Sequence, residues 1–316
     1  MLKVSVIIPV RNGRNYIDEA IDSILSQTFR SFEIVVINDG STDGDYNELT
    51  LKDPRIRVLH LTGSGVSTAR NHGMQAAQGE LITFLDADDV WFPGKLQSQV
   101  NYLQAHPEVG VVFGGFLKWE ASQTGEFQPA SRLMTDCSAI TCCETARSGW
   151  LYTRLLMGLL VGMNTAMLRR SVMSAIGGFN TSLRQAEDYD FWLKASRVAE
   201  MHALDGRVAL YRIHPASAMH RLAQDNALIT VLRAARLRWG LKGPGGDSLS
   251  AQMFQQRIGQ LHFDHGYAHF WKGNRAVARQ AFLRALRAGY RSGRSAVYLT
   301  LCCVPFRVGR AKSASD

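Results

Sequence analysis

The sequence predicts an α/β protein, a doubly wound, mostly parallel sheet followed by a helical C-terminal extension. Three observations lead there. In the first 120 residues, five β-branched, nearly continuous apolar runs alternate with stretches of helical spacing. Small and acidic residues follow those runs, at the ends where an open α/β sheet gathers its ligand site. From about residue 221 the pattern is helical and the charge changes sign.

The apolar runs are VSVIIPV (4–10), FEIVVIN (32–38), IRVLHL (56–61), ELITFLD (80–86) and VGVVFGGF (109–116). Runs of this kind suit strands buried on both faces of a parallel sheet. Helices are expected between them at 15–27, 66–77 and 93–106, with a poorer one at 45–52. In the first, Ala20, Ile21, Ile24 and Leu25 recur at helical spacing, and Pro93 suits the first turn of the last. Strand–helix alternation implies right-handed crossovers. The polar stretch 122–135 reads as a loop or excursion near a site. A strand follows at 164–168, then a short helix, a helix opening at Glu187 and a strand near 208–213. Two further helices, 250–271 and 274–288, flank a Gly-Asn turn and resemble one tetratricopeptide-like pair. A stable stack needs at least about three repeats, so this is an extension and not a solenoid. The expected domains are 1–220 and 221–316.

With 46% hydrophobic and 20% charged residues, 28 Gly and 8 Pro, the chain is neither disordered, collagen-like nor a small disulfide-stapled protein. Its formal charge of +9 is unevenly spread. Residues 221–316 carry 16 Lys and Arg against 4 Asp and Glu, a net of +12, whereas residues 1–220 carry 20 against 23, a net of −3. A basic tail on an acidic body can meet anionic lipid, acidic polymer or nucleic acid, or can be a solvated Arg-rich face. No nucleic-acid partner is expected. The segment 295–310 sets an apolar patch beside Arg307, Arg310 and Lys312, which suits either peripheral membrane docking or a closing helix packed on the core. Cys137, Cys142, Cys143, Cys302 and Cys303 form no C-x-x-C and are odd in number, as in a reduced, cytosolic protein without a structural metal. The longest apolar run, 155–163, falls short of the roughly 18 residues a membrane span requires, and the apolar start is too short for a secretion signal. The expected location is cytoplasmic, with peripheral contact at the cytoplasmic membrane face as an option.

The residues after each strand are Pro9-Val10-Arg11-Asn12, Asn38-Asp39-Gly40-Ser41, Gly63-Ser64-Gly65 and Asp86-Ala87-Asp88-Asp89. Strand alternation would put Asp86 and Asp88 on one side, where both can face one cation. A magnesium-like ion takes one or two protein carboxylates and completes its shell with water and phosphate oxygens. The competing reading is a loop Asp capping the helix near Pro93. Asp39 is equally a turn residue or an acceptor for a nucleobase or ribose. The stretch 63–68 fails the dinucleotide fingerprint at Thr68, and no P-loop occurs. Glu187, Asp188 and Asp190 suit a helix's first turn, and one of them could equally serve as a general base.

In order, VSVIIPVRN, VINDGSTD, GVSTARNHG, GELITFLDADDVW, GGFN, EDYDFWLKAS and YRIHPAS resemble a family 2 inverting glycosyltransferase with the GT-A fold, over roughly residues 3–217. The resemblance implies that Asp39 binds the nucleoside, with Pro9, Val10, Arg11, Asn12 and Arg70 beside it. It implies that Asp86 and Asp88 hold Mg²⁺ or Mn²⁺ on the diphosphate of a nucleotide sugar, Asp88 more directly. Asp188 becomes the catalytic base, with Glu187 next to it. Trp192 either walls the acceptor site or faces the core, and His214 either approaches the diphosphate or metal or is an ordinary hydrogen-bonded histidine. Arg11 departs from the family pattern and can instead contact phosphate. The function implied is sugar transfer from a nucleoside diphosphate, UDP foremost, to a hydroxyl of a glycan or lipid-linked acceptor in cell-surface polysaccharide synthesis. The alternatives are a sugar nucleotidyltransferase and a non-catalytic nucleotide-sugar-binding scaffold.

Overall fold

The computed structural model describes residues 3–122, 124–134, 143–214 and 222–303. Cys137, Cys142, the end of the YRIHPAS motif and the basic end of the tail segment lie outside the described residues. By contacts the chain forms two compact units, 1–217 with 234–248, and 218–233 with 249–316. The stretch 234–248, which the sequence reading places in the C-terminal extension, groups with the first unit.

In the first unit, β1 (Val4–Val10), β2 (Phe32–Asp39) and β3 (Ile56–Leu61) lie parallel, with β4 (Leu81–Phe84) parallel to β1 on its other side. Every residue of β1 and β2 is buried, the reason their sequences read as unbroken apolar runs. α1 (Arg14–Leu25) buries Ile17, Ala20, Ile21 and Ile24 in the core shared with these strands. α2 (Val66–Ala76) approaches β1 so closely that a Cβ on Gly73 would stand 2.4 Å from Ile7. A 3₁₀ turn at Asn47–Leu51 takes the place of the poor helix expected at 45–52.

The remaining strands depart from a purely parallel pattern. They are β5 (Val90–Trp91), β6 (Val109–Glu120), β7 (Ala166–Arg169) and β8 (Glu200–Ile213), and the sheet order is β3-β2-β1-β4-β7-β6-β8-β5. β7 runs antiparallel to both β4 and β6, β8 runs parallel to β6, and β5 is antiparallel to β8. Between them lie α3 (Lys95–Ala105), α4 (Ala130–Leu133), α5 (Tyr152–Met157), α6 (Arg170–Ile176) and α7 (Glu187–Ala195). Pro93 stands outside α3, whose N-cap is Gly94 in the left-handed region without a side-chain cap bond, so neither Asp88 nor Asp89 caps this helix.

α8 (Ala227–Trp239) begins in the second unit, which also holds α9 (Ala251–Lys272), α10 (Arg275–Arg287) and α11 (Ser292–Cys303). Both α9 and α10 are capped by a side chain: Ser250 Oγ accepts from the Met253 amide, and Asn274 Oδ1 from the Ala276 amide. Phe263, Phe270, Ala278, Phe282 and Ala285 form this unit's core. No helix among the described residues is long and apolar enough to cross a membrane.

Lys95 is fully buried in the first unit, its Nζ 2.9 Å from Gln99 Oε1, 3.1 Å from Thr83 Oγ1 and 4.0 Å from the centre of the Trp91 ring. Burial pushes this amine well below its ordinary 10.5. The unfolded chain therefore binds a proton here that the folded chain gives up. Stability then rises with pH between the lowered folded value and 10.5, by at most about 1.4 kcal/mol per pH unit. Urea melts at pH 7 and 10 should show wild type gaining on Lys95→Met as pH rises. Parallel behaviour of the two would refute it.

Candidate active site

The site gathers at the ends of β1, β2 and β4, with additions from α2, α7 and β8. At the end of β1, Pro9 and Val10 are buried, while Arg11 and Asn12 just beyond it are exposed. Asn12 holds a left-handed φ of 54°, stabilised by its amide donating to Ser41 Oγ and its Oδ1 accepting from the Thr42 amide. Asp39, at the end of β2, is only 3% exposed. Its two oxygens accept from the Ser64 and Gly65 amides at 2.6 and 2.7 Å, just ahead of α2. Gly63 and Gly65 have φ of 89° and 92°, a conformation that favours glycine. The Arg11 guanidinium lies alongside Gly63.

Asp86 and Asp88 are not on a strand. β4 ends at Phe84, and a turn closed by the Asp89 amide on the Asp86 carbonyl carries both carboxylates. Strand alternation is therefore not what juxtaposes them; the turn does, leaving them 32% and 33% exposed at the side chain. Burial pushes the Asp88 carboxyl above its ordinary value, the Asp86 charge adds to this, and His214 opposes it. His214 Nε2 stands 3.0 Å from Asp88 Oδ2 and its ring stacks on Tyr16. Asp89 points the other way chemically: it is buried, accepting from the Arg212 amide and from Asn164 Nδ2, so it anchors the turn. Arg212 clasps the same turn, donating to the Asp88 carbonyl at 2.7 Å and to Glu19 of α1 at 2.5 Å.

Arg70 of α2 joins the two halves. Buried and 117 residues away in sequence from one of its partners, it donates to Asp86 Oδ1 at 2.8 Å and to Glu187 Oε1 at 3.1 Å. Glu187 and Asp188 open α7 behind Ala186, whose φ of 60° is unfavourable for a non-glycine residue by about 1–2 kcal/mol. Burial pushes the Glu187 carboxyl up and Asp188 adds to this, while the Arg70 charge and hydrogen bond hold it down. Asp188 Oδ1 accepts from the following amide, Tyr189, at 2.7 Å. α7 is seated by the aromatic cluster Phe84, Phe179 and Phe191. The GGFN turn is in turn clamped by Asn71 of α2, which exchanges two hydrogen bonds with the Phe179 backbone.

Of the two readings of Trp192, the structure takes the core: its side chain is fully buried, packed edge-on against Phe191, and it lines no open surface. Arg212 and Tyr211 were not singled out from sequence. Burial and the carboxylates of Asp89, Asp86, Asp88 and Asp188 push the Tyr211 phenol up to about 12, which puts it beside the acidic cluster. The available signal was the i, i+2 spacing of Arg212 and His214 on one face at the end of a strand. Among the described residues no group of three His, Cys, Asp or Glu side chains is arranged to hold a metal alone. Asp86 and Asp88 nonetheless suit a cation that completes its shell with phosphate oxygens, because their mutual repulsion is what such an ion relieves.

The family model described as glycosyl transferase family 2 matches residues 5–135. An uncharacterized glycosyltransferase of Rickettsia typhi is 32% identical over 232 residues, 71% of this chain and 70% of that protein. Three longer Rickettsia relatives, 32–33% identical, are covered over only 28–37% of their own length. Among solved structures, Staphylococcus aureus TarS 1–349 in complex with UDP-GlcNAc is 21% identical, with a TM-score of 0.63 over 91% of this chain and 81% of that one. The Pyrobaculum calidifontis mannosyltransferase in complex with GDP-Man and Mn²⁺ is 20% identical, with a TM-score of 0.56 over 96% and 81%. The sheet and its flanking helices are thus those of the GT-A fold.

Proposed function

Because the chain belongs to glycosyl transferase family 2, we propose that it moves a sugar from a nucleoside diphosphate, UDP foremost, to a hydroxyl of a glycan or lipid-linked acceptor, with inversion, in cell-surface polysaccharide synthesis. The observation that carries this reading is the Arg70 bridge, which ties Asp86, on the donor side, to Glu187, beside the proposed base.

Asp39, Arg11, Asn12 and the Gly63–Gly65 turn form the nucleoside end. For the base or ribose to reach Asp39, it must share carboxylate lone pairs already engaged by two amides, or displace those amides. Asp88 and Asp86 would hold Mg²⁺ or Mn²⁺, which supplies charge neutralisation for the departing diphosphate. His214 fixes the Asp88 carboxylate, and Arg212 and Asp89 fix the turn that carries it. Asp188 accepts the acceptor's proton as its oxygen forms the new bond to the anomeric carbon. The carbon–oxygen bond to the diphosphate breaks on the opposite face, and the electron pair leaves with the diphosphate. An α-linked donor gives a β-linked product. Glu187, engaged by Arg70, positions Asp188 and is not the proton acceptor. Exposed Tyr267, Trp271 and Val297 in the basic second unit support contact with a membrane carrying a lipid-linked acceptor.

Calorimetric titration of UDP, TDP, GDP and CDP, with and without Mn²⁺, tests the donor half. One nucleotide should bind in a metal-dependent way, and Asp88→Asn should weaken it at least about tenfold, or 1.4 kcal/mol. Binding of none of the four would end this reading.

A further inference from the structure

The second unit contains a polar feature that the transfer reading does not use. His262 of α9 is 4% exposed, and its Nε2 has no hydrogen-bond partner among the described residues. Burying a polar group without a partner is unfavourable. His262 borders a cavity of about 170 Å³, well above the ~15 Å³ a single water needs. Arg233 of α8, His265 of α9 and Arg284 of α10 also line it, and Arg287 joins Arg233, His262 and Arg284 around an adjoining recess. Burial pushes His262 down to about 4, and Arg233, Arg284 and His265 push in the same direction. The acid at the rim, Asp225, bears on His265 and not on His262. Arg233, Arg284 and the buried imidazole nitrogen therefore line one cavity in which Asp225 is the one acid among the described lining residues, so the cations outnumber it.

We propose that this cavity binds a phosphoryl group, with the Arg233 and Arg284 guanidiniums as its charge partners and His262 Nε2 as the buried contact. The guanidinium fork matches tetrahedral oxyanions in pairs of parallel hydrogen bonds, and a phosphoryl dianion balances both arginines where a carboxylate balances one. An oxyanion also gives the His262 nitrogen the acceptor it lacks, and its charge favours the protonated imidazole. The phosphoryl group can come from a soluble phosphate or diphosphate ester or from a phospholipid headgroup; the chemistry recognised is the same. The site is built wholly from the second unit and is independent of the sugar-transfer reading.

The test uses the full chain, with inorganic phosphate and pyrophosphate followed by calorimetry at constant ionic strength, and phosphatidylglycerol vesicles followed by flotation. Arg233→Gln and Arg284→Gln replace exposed side chains and should melt like wild type. Arg279→Gln, exposed on α10 and outside the cavity lining, is the control. Binding of soluble phosphate or pyrophosphate, weakened at least tenfold by Arg284→Gln and by Arg233→Gln but not by Arg279→Gln, supports the site and a soluble source. The same pattern with vesicles alone supports the site and assigns the headgroup. No binding of either kind, or equal weakening by Arg279→Gln, overturns the proposal in favour of a diffuse basic face.

Discussion

Asp188→Asn should lower the transfer rate by about 10²–10⁴-fold and leave nucleotide binding within twofold of wild type, the loss expected when a positioned base is removed. The substitution is nearly isosteric, and the hydrogen bond that this carboxylate accepts from the Tyr189 amide survives because the Asn oxygen accepts it equally well. The folded structure should therefore be unchanged, and the missing property is the capacity to take a proton. Since that capacity is used only in the transition state, kcat and kcat/KM should fall together while KM for the donor holds. Glu187→Gln should behave differently. It weakens the bond to Arg70 and should reduce stability along with activity, with a smaller kinetic loss than Asp188→Asn. Steady-state rates for both variants with the nucleotide sugar identified by calorimetry decide the assignment. Asp188→Asn retaining more than a tenth of wild-type kcat would remove it from the role of base.

Much of the first unit is legible from sequence for a simple physical reason. Strands buried on both faces cannot tolerate polar residues, so β1 and β2 are written as unbroken apolar runs. β8 breaks that rule. Its first half contains Glu200, His202, Asp205 and Gly206, and its ladder with β6 carries register shifts, so only the apolar second half reads as a strand. β5 is two residues long and leaves no periodicity to detect. At the site, the acidic residues are visible because they follow strands, but their partners are not. Arg70 meets Glu187 across 117 residues and Asn71 meets Phe179 across 108, distances over which spacing carries no information. The same limit explains Asp86 and Asp88. Alternation is a rule for strands, and these residues sit in a turn whose shape depends on Asp89 and Arg212, contributed partly from 123 residues away.

Arg70→Met should destabilise the protein by about 3 kcal/mol at pH 7, near the lower end for removing one partner of a buried ion pair. The lower end applies because Asp86, one of the two carboxylates left behind, is a third exposed and can recruit water. Glu187 is the costlier one, since burial and Asp188 already push its carboxyl up and Arg70 is what opposes them. Without the guanidinium its folded value moves further above the unfolded one. A carboxyl raised in this way contributes stability below its unfolded value and loses it as pH climbs through the folded value. The deficit of Arg70→Met should therefore shrink as pH drops from 7 toward 5, opposite to the usual acid weakening of a carboxylate-rich site. Arg70→Lys keeps the charge but has one ammonium where the fork reaches two partners, so it should restore part of the stability and little of the activity. Urea melts of Arg70→Met, Glu187→Gln and the double variant at both pH values close a cycle. A coupling of 1 kcal/mol or more is expected, because the double variant leaves no uncompensated charge at Glu187. Additive losses, or a deficit that grows on acidification, would mean that Arg70 is held by its burial against Phe179 and not by the two carboxylates.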